Sequence, residues 1–187
     1  MRNQFDALYK DHVDLMYRYA NRLCGEAEVA KDLVQETFLN AYRGFSRFRG
    51  DAQVSTWLYA IASRACLRMR RKHKGAPERE LSLEEFIPSS EGEFHLQIPV
   101  EGLSPEEALQ NKELRQALDA AIGKLPKKYK MVLVLRDMEG LSAKEAGTIM
   151  GLSERAVKSR LHRARLFVRR ELSARGLAEG THEPAHE

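Results

Sequence analysis

Residues 153–165 read SERAVKSRLHRAR, a stretch in which lysine and arginine recur with small apolar residues and leucine between them. Such side chains offer fixed positive charge and several N–H donors, which suits recognition of an anion rather than making or breaking a bond. Ser153 can cap a helix, and Val157, Leu161, Ala164 and Val168 then follow at helical spacing as one inward stripe. Lys158, Ser159, His162, Arg163 and Arg165 fall off that stripe. The first turns of such a helix suit a major groove, where Arg or Lys donates to guanine and Ser or His reaches a base edge or phosphate. Helix N–H groups and the remaining cations can grip phosphates. The residues therefore describe a DNA-recognition helix, with a solvated basic face on a protein-binding helix as the alternative. Glu154 fits either by accepting from a cytosine amino group or by facing the helix dipole.

The element before it must set its angle. Ser142 and Glu145 make a capping box that opens a helix, Gly151 ends it, and Ser153 opens the next. Two closely spaced helices with a glycine-containing connection make a helix-turn-helix candidate. Upstream, Leu109, Leu114, Leu118, Ala121, Ile122 and Leu125 mark a helix ending near Pro126, and a Val/Leu-rich one follows over 129–138.

The N-terminal part shows three more helical periods. Leu8, His12, Leu15, Tyr19 and Leu23 precede a break at Cys24-Gly25. Leu33, Val34, Phe38, Ala41 and Tyr42 line a second helix over 27–43, and Leu58, Ile61, Ala62, Ala65 and Met69 a third over 56–71. The expected fold is all-α: a helical bundle at 1–74, a flexible acidic linker at 75–108, a helix-turn-helix domain at 109–175 and a tail at 176–187.

Charge follows the same division. Residues 1–74 hold 14 Lys/Arg against 8 Asp/Glu, and residues 109–175 hold 16 against 7, while residues 75–108 hold one Arg against nine Glu. Two basic blocks separated by an acidic stretch suit a polyanionic partner. The linker carries Pro77, Pro88 and Pro99, and its acidity invites the expectation that it shields the basic modules. No apolar run reaches the ~20 residues of a membrane span and no signal-peptide core is seen, so a cytoplasmic protein without membrane insertion is expected. Cys24 and Cys66 form no CxxC, and His12, His73, His95, His162, His182 and His186 lack metal-ligand spacing. There is no GxxxxGK loop and no paired acid and base. Neither a cofactor nor an enzymatic activity is expected.

Three stretches, DLVQETFLNAYRGFSRFRG at 32–50, STWLYAIASR at 55–64 and LPKKYKMVLVLRDMEGLSAKEAGTIMGLSERAVKSRLHRAR at 125–165, resemble the extracytoplasmic-function (ECF) group of bacterial sigma factors in the sigma-70 family. The resemblance spans nearly all of both modules. It implies a factor that binds core RNA polymerase, recognises −35 and −10 promoter elements and promotes DNA opening. The rival is a stand-alone helix-turn-helix regulator whose N-terminal domain senses a ligand or dimerises.

By the same resemblance, Asp32, Leu33, Gln35, Glu36 and Phe38 form the surface that docks on core polymerase, with core packing as the alternative role for Leu33 and Phe38. The −10 set is Arg47, Arg49, Trp57, Arg64, Arg68, Arg71 and Lys72, with Phe45 and Phe48 as neighbouring aromatics and a base pocket built from the 46–54 loop. The −35 set is Ser153, Arg155, Lys158, Ser159, Arg160, His162 and Arg163. Many relatives carry asparagine where Arg64 stands and aspartate where Arg68 stands, so this chain trades base contacts for phosphate grip. An anti-sigma partner is implied, and no segment like the primary factors' N-terminal autoinhibitory region is expected before the first module.

Overall fold

The structure, a computed structural model, describes residues 2–48, 50, 53–73 and 105–177. Of the linker expected at 75–108, residues 75–104 lie outside the described residues, as do Arg49 and residues 178–187 of the expected tail. Every regular element among those described is helical. The first module holds α1 (Arg2–Cys24), α2 (Ala27–Gly44), a 3₁₀ turn (Phe45–Arg47) and α3 (Val54–His73). The second holds α4 (Pro105–Lys124), α5 (Lys127–Leu133) running into a π turn (Val134–Met138), α6 (Ala143–Met150) and α7 (Glu154–Ser173).

The boundaries follow local chemistry. Gly25 breaks the chain between α1 and α2 at φ +79°, a left-handed conformation that a Cβ disfavours. Pro105 occupies the first position of α4, where its fixed φ suits a helix and its missing N–H costs nothing, so the helix starts four residues before the expected boundary at 109.

Packing in the first module keeps Leu8, Tyr19 and Leu23 of the stripe expected for α1 and widens it. Phe5, Leu8, Met16, Tyr19, Ala20 and Leu23 are the buried residues, whereas His12 is half-buried, its Nδ1 3.0 Å from the Leu8 carbonyl. Tyr42, expected on the inner side of α2, is exposed and meets Phe5 edge-on. Thr37 is fully buried on α2 because its hydroxyl donates to the Leu33 carbonyl at 2.6 Å, which leaves no unpaired polar group in the core.

The two modules do not stand apart. α3 packs against α6, while α1 touches α5 and the π turn, and the buried residues of both modules form one contiguous cluster.

Candidate nucleic-acid and polymerase interfaces

The helix-turn-helix is built as its capping signals require. The Ser142 hydroxyl accepts from the Glu145 N–H at 3.2 Å, and the Glu145 carboxylate accepts from the Ser142 N–H at 2.8 Å. The Ser142 side-chain and backbone donors hold the Glu145 carboxyl below its usual range. Gly151 ends α6 at φ +67°, and the Ser153 hydroxyl accepts from the Ala156 N–H at 3.2 Å to open α7. A closer constraint sits one turn back. A Cβ at Gly147 would lie 2.6 Å from the Leu152 carbonyl oxygen, so only glycine lets the turn come this near α6. The Leu152 N–H closes the same turn on the Gly147 carbonyl at 2.8 Å.

α7 buries Val157, Leu161, Ala164, Val168 and Leu172, which confirms the stripe read from the sequence and adds its last member. Ser153, Arg155, Lys158 and Ser159 are exposed, while Arg160, His162 and Arg163 are half-buried along the flanks. Glu154 is exposed in the first turn, near the positive end of the helix dipole. Arg165 differs from its neighbours. Its guanidinium grips Asp137 through two bonds, Nε to Oδ2 at 2.9 Å and Nη2 to Oδ1 at 2.7 Å, tying α7 to the π turn. That cation positions the helix. Lys124 pairs with Glu171 at 2.6 Å and fastens the far end of α7 to α4.

On α2, Asp32 and Gln35 are exposed and Glu36 is half-buried. Leu33 and Phe38, open to either a docking or a core role in the sequence, are 1 % and 5 % exposed and face the bundle, which favours the core role. Helical geometry explains the split, since adjacent residues cannot all face one side. Leu39, 44 % exposed, is the apolar residue that extends the Asp32–Gln35 face, and the sequence reading missed it.

The −10 set divides. Arg47 and Arg64 are exposed, and Arg68 reaches Glu36 at 3.6 Å from an exposed position, a weak pair in water. Trp57 is half-buried, its ring stacked on Phe48 with centroids 4.6 Å apart, and Phe45 meets Phe5 edge-on. Arg71 and Lys72 fall in the last turns of α3, but their side chains lie outside the described residues, as do positions 49, 51 and 52 of the expected pocket loop.

Sequence reasoning missed every contact between the modules. Arg22 Nη1 donates to Glu139 Oε1 at 2.5 Å, and the Tyr59 hydroxyl donates to Glu139 Oε2 at 2.5 Å. Burial, and then the hydrogen bond to Glu139, raise the Tyr59 hydroxyl above its ordinary value. Tyr59 stacks edge-on with Tyr19, whose hydroxyl shares a 2.8 Å hydrogen bond with Ser63. Nearby, Lys127 Nζ lies 3.6 Å from Cys66 Sγ. Its hydrogen bond with Cys24 and the Lys127 charge draw the Cys66 thiol below its ordinary range. Ser63, Arg64 and Leu67 of α3 and Met131, Thr148, Ile149, Met150 and Gly151 line a crevice of about 180 Å³ between the modules.

Comparison with known proteins places both modules. Residues 8–76 match sigma-70 region 2 and residues 115–168 match sigma-70 region 4. The ECF RNA polymerase sigma factor SigW of Bacillus subtilis is 36 % identical over 166 residues, spanning 88 % of this chain and 85 % of SigW. The RNA polymerase sigma factor YlaC of the same organism is 30 % identical over 172 residues, spanning 92 % of this chain and 94 % of YlaC. Among solved structures, the sigma factor RpoE of Bartonella quintana, in complex with the anti-sigma factor NepR, superposes with a TM-score of 0.65 at 22 % identity, covering 91 % of this chain and 97 % of that one. With both regions matched in order and a full-length relative of this similarity, the chain belongs to the ECF sigma factors of the sigma-70 family.

Proposed function

We propose that this sigma factor divides promoter recognition and polymerase binding among three surfaces. The observation that carries the reading is α7: its apolar positions are used inside the module, leaving Arg155, Lys158 and Ser159 on an exposed N-terminal face. That face reads the −35 element in the major groove, and Ser153, Arg160, His162 and Arg163 grip the flanking phosphates. Asp32, Gln35 and Glu36 form the polymerase-docking face of α2, with Leu39 as its apolar centre. Arg47, Arg64 and Arg68, with Arg49, Arg71 and Lys72, supply the basic track for the −10 strand.

Sigma factors are non-enzymatic initiation factors, so opening draws on binding energy. Captured unstacked bases offset the few kcal/mol of unstacking. An anti-sigma protein is a further partner, by analogy with the fold neighbour RpoE and its NepR. The stand-alone regulator is not favoured, because the first module matches region 2 rather than a sensing or dimerisation domain. The charge, and the absence among the described residues of a helix long and apolar enough to cross a membrane, support action in the cytoplasm.

The test is run-off transcription on fragmented genomic DNA with bacterial core polymerase, with and without this chain, mapping RNA 5′ ends. New starts that share two upstream elements are expected. No chain-dependent starts from active core enzyme would overturn the reading.

A further inference from the structure

Cys24 and Cys66 are the only cysteines of the chain and lie far apart in it, yet the fold brings their thiols into one hydrogen bond. Cys66 is 2 % exposed on α3, while Cys24 is half-buried as the last residue of α1. Two cations of α5 stand over the pair. Lys127 Nζ donates to Cys66 Sγ at 3.6 Å, and Lys130, 7 % exposed, feels the charge of both sulfurs and of Asp119 on α4. Tyr19 faces Cys66 from α1, and burial holds its proton in place. A buried ammonium is costly without an anion nearby, and a thiolate at Cys66 supplies one. Among the described residues these sulfurs belong to no group of three metal-ligating side chains.

The two sulfurs hold their protons unequally. Cys24 closes a helix C-terminus, where the dipole disfavours negative charge. Its S–H donates to Cys66, and that bond, together with burial, pushes the Cys24 thiol up. Cys66 accepts from Cys24 and from Lys127, and is drawn down. One sulfur is thus a nucleophile, and the other is a retained thiol in contact with it. Those are the two parts of an oxidisable pair.

We infer that Cys24 and Cys66 form an oxidant-modified site, at which a peroxide converts the two thiols to a disulfide that ties α1 to α3. The Cys66 thiolate attacks one peroxide oxygen, the O–O bond breaks, and the departing hydroxide takes a proton from solvent and leaves as water. The Cys24 sulfur then attacks the sulfur of the Cys66 sulfenic acid. The S–O bond breaks, and the hydroxyl leaves as a second water with the Cys24 proton. In sum, two thiols and one hydrogen peroxide give one disulfide and two waters, with sulfur oxidised and peroxide oxygen reduced. An S–S bond of about 2.05 Å requires the sulfurs to close from hydrogen-bond contact. Cys24 adjoins Gly25 at the break between α1 and α2, so a helix end supplies that movement. Cys24 is also the opening of the pair to solvent, and hydrogen peroxide is little larger than water. Lys127 belongs to the second module, so a residue of one module sets the reactivity of a pair in the other.

The test treats the full reduced chain with hydrogen peroxide under conditions that oxidise the urea-unfolded chain completely, then alkylates it and maps its peptides. An intrachain disulfide between Cys24 and Cys66 is expected, with loss of both free thiols. Cys24→Ser should stop at a Cys66 sulfenic acid that dimedone traps, whereas Cys66→Ser should leave Cys24 unmodified. Lys127→Met should slow disulfide formation roughly threefold, because a tenfold loss of thiolate is partly offset by the greater nucleophilicity of a more basic sulfur. Lys127→Arg keeps the charge and should react near the parent rate. Circular dichroism checks that each variant is folded, and the mapping of the parent needs no variant. Two free thiols in the treated parent, or disulfides only between chains, would overturn the site. Lys127→Met reacting as fast as the parent would overturn the activation by Lys127.

Discussion

α3 and α7 are both basic helices of 20 residues, yet they use their surfaces differently. α7 turns one apolar stripe inward to its own module and leaves its first turns open. α3 buries Leu58, Ala62 and Ala65 in its bundle, then gives a second face to α6. The difference shows that counting cations on a helix does not reveal which of them are free to meet DNA. Arg165 makes the same point within α7, because its charge is committed to Asp137. The acidic side of the first module shows a further contrast, between Asp32 in solvent and Leu33 beside it in the core.

That last contrast breaks most sharply. Asp32→Lys is expected to abolish co-purification with core polymerase while thermal unfolding stays unchanged. Leu33→Ala should instead cost about 2–5 kcal/mol of stability, read by denaturant unfolding, because it opens a cavity. If Asp32→Lys co-purified normally, the docking face would lie elsewhere.

Gly147→Ala tests whether α7 is held at one angle. Forcing a Cβ against the Leu152 carbonyl should destabilise the second module by about 3 kcal/mol and weaken every duplex together. A variant with parent stability would show that the turn can shift.

Lys158→Ala should weaken binding to the −35 duplex by about 1–3 kcal/mol and leave a scrambled duplex nearly unaffected, as measured by fluorescence anisotropy. Equal loss on both would make Lys158 a phosphate anchor. The smallest effect belongs to the cap of α6. Ser142→Ala should cost about 1 kcal/mol. The Glu145 half of that box contributes above the ordinary carboxylate pKa and fades as pH falls through its lowered value, so the gap between the parent and Ser142→Ala melting curves should narrow in acid without closing, because the Glu145 N–H still donates to Ser142 in the parent.

Much of this was legible in the sequence because it is local. The capping box at Ser142 and Glu145, the stop at Gly151, the cap at Ser153 and the stripe on α7 each depend on residues within a few positions of one another. The register of α1 was harder. His12 continues the spacing of Leu8 and Leu15 yet is not part of the core, whose lower turns are formed by Met16 and Ala20. Periodicity names a face without weighing which of two overlapping stripes packs better. Leu33 and Phe38 carried two readings, one from the docking motif and one from the inner stripe of α2, and burial favours the stripe because a helix sends neighbours along the chain to different sides. Glu139 left no local signal at all, since its partners are 117 and 80 residues away and nothing in MEGLS distinguishes a carboxylate that bonds across the modules from one on an open loop.

The near contact at Gly147 also bears on how promoter preference diverges among descendants of such a chain. With the crossing of α6 and α7 locked by backbone, exchanges at Arg155, Lys158 or Ser159 alter what is read without altering where the reader sits. New specificities are then a few surface substitutions apart, and each intermediate still folds. The same lock closes the other route, in which the helix is re-aimed to begin its reading one base pair along.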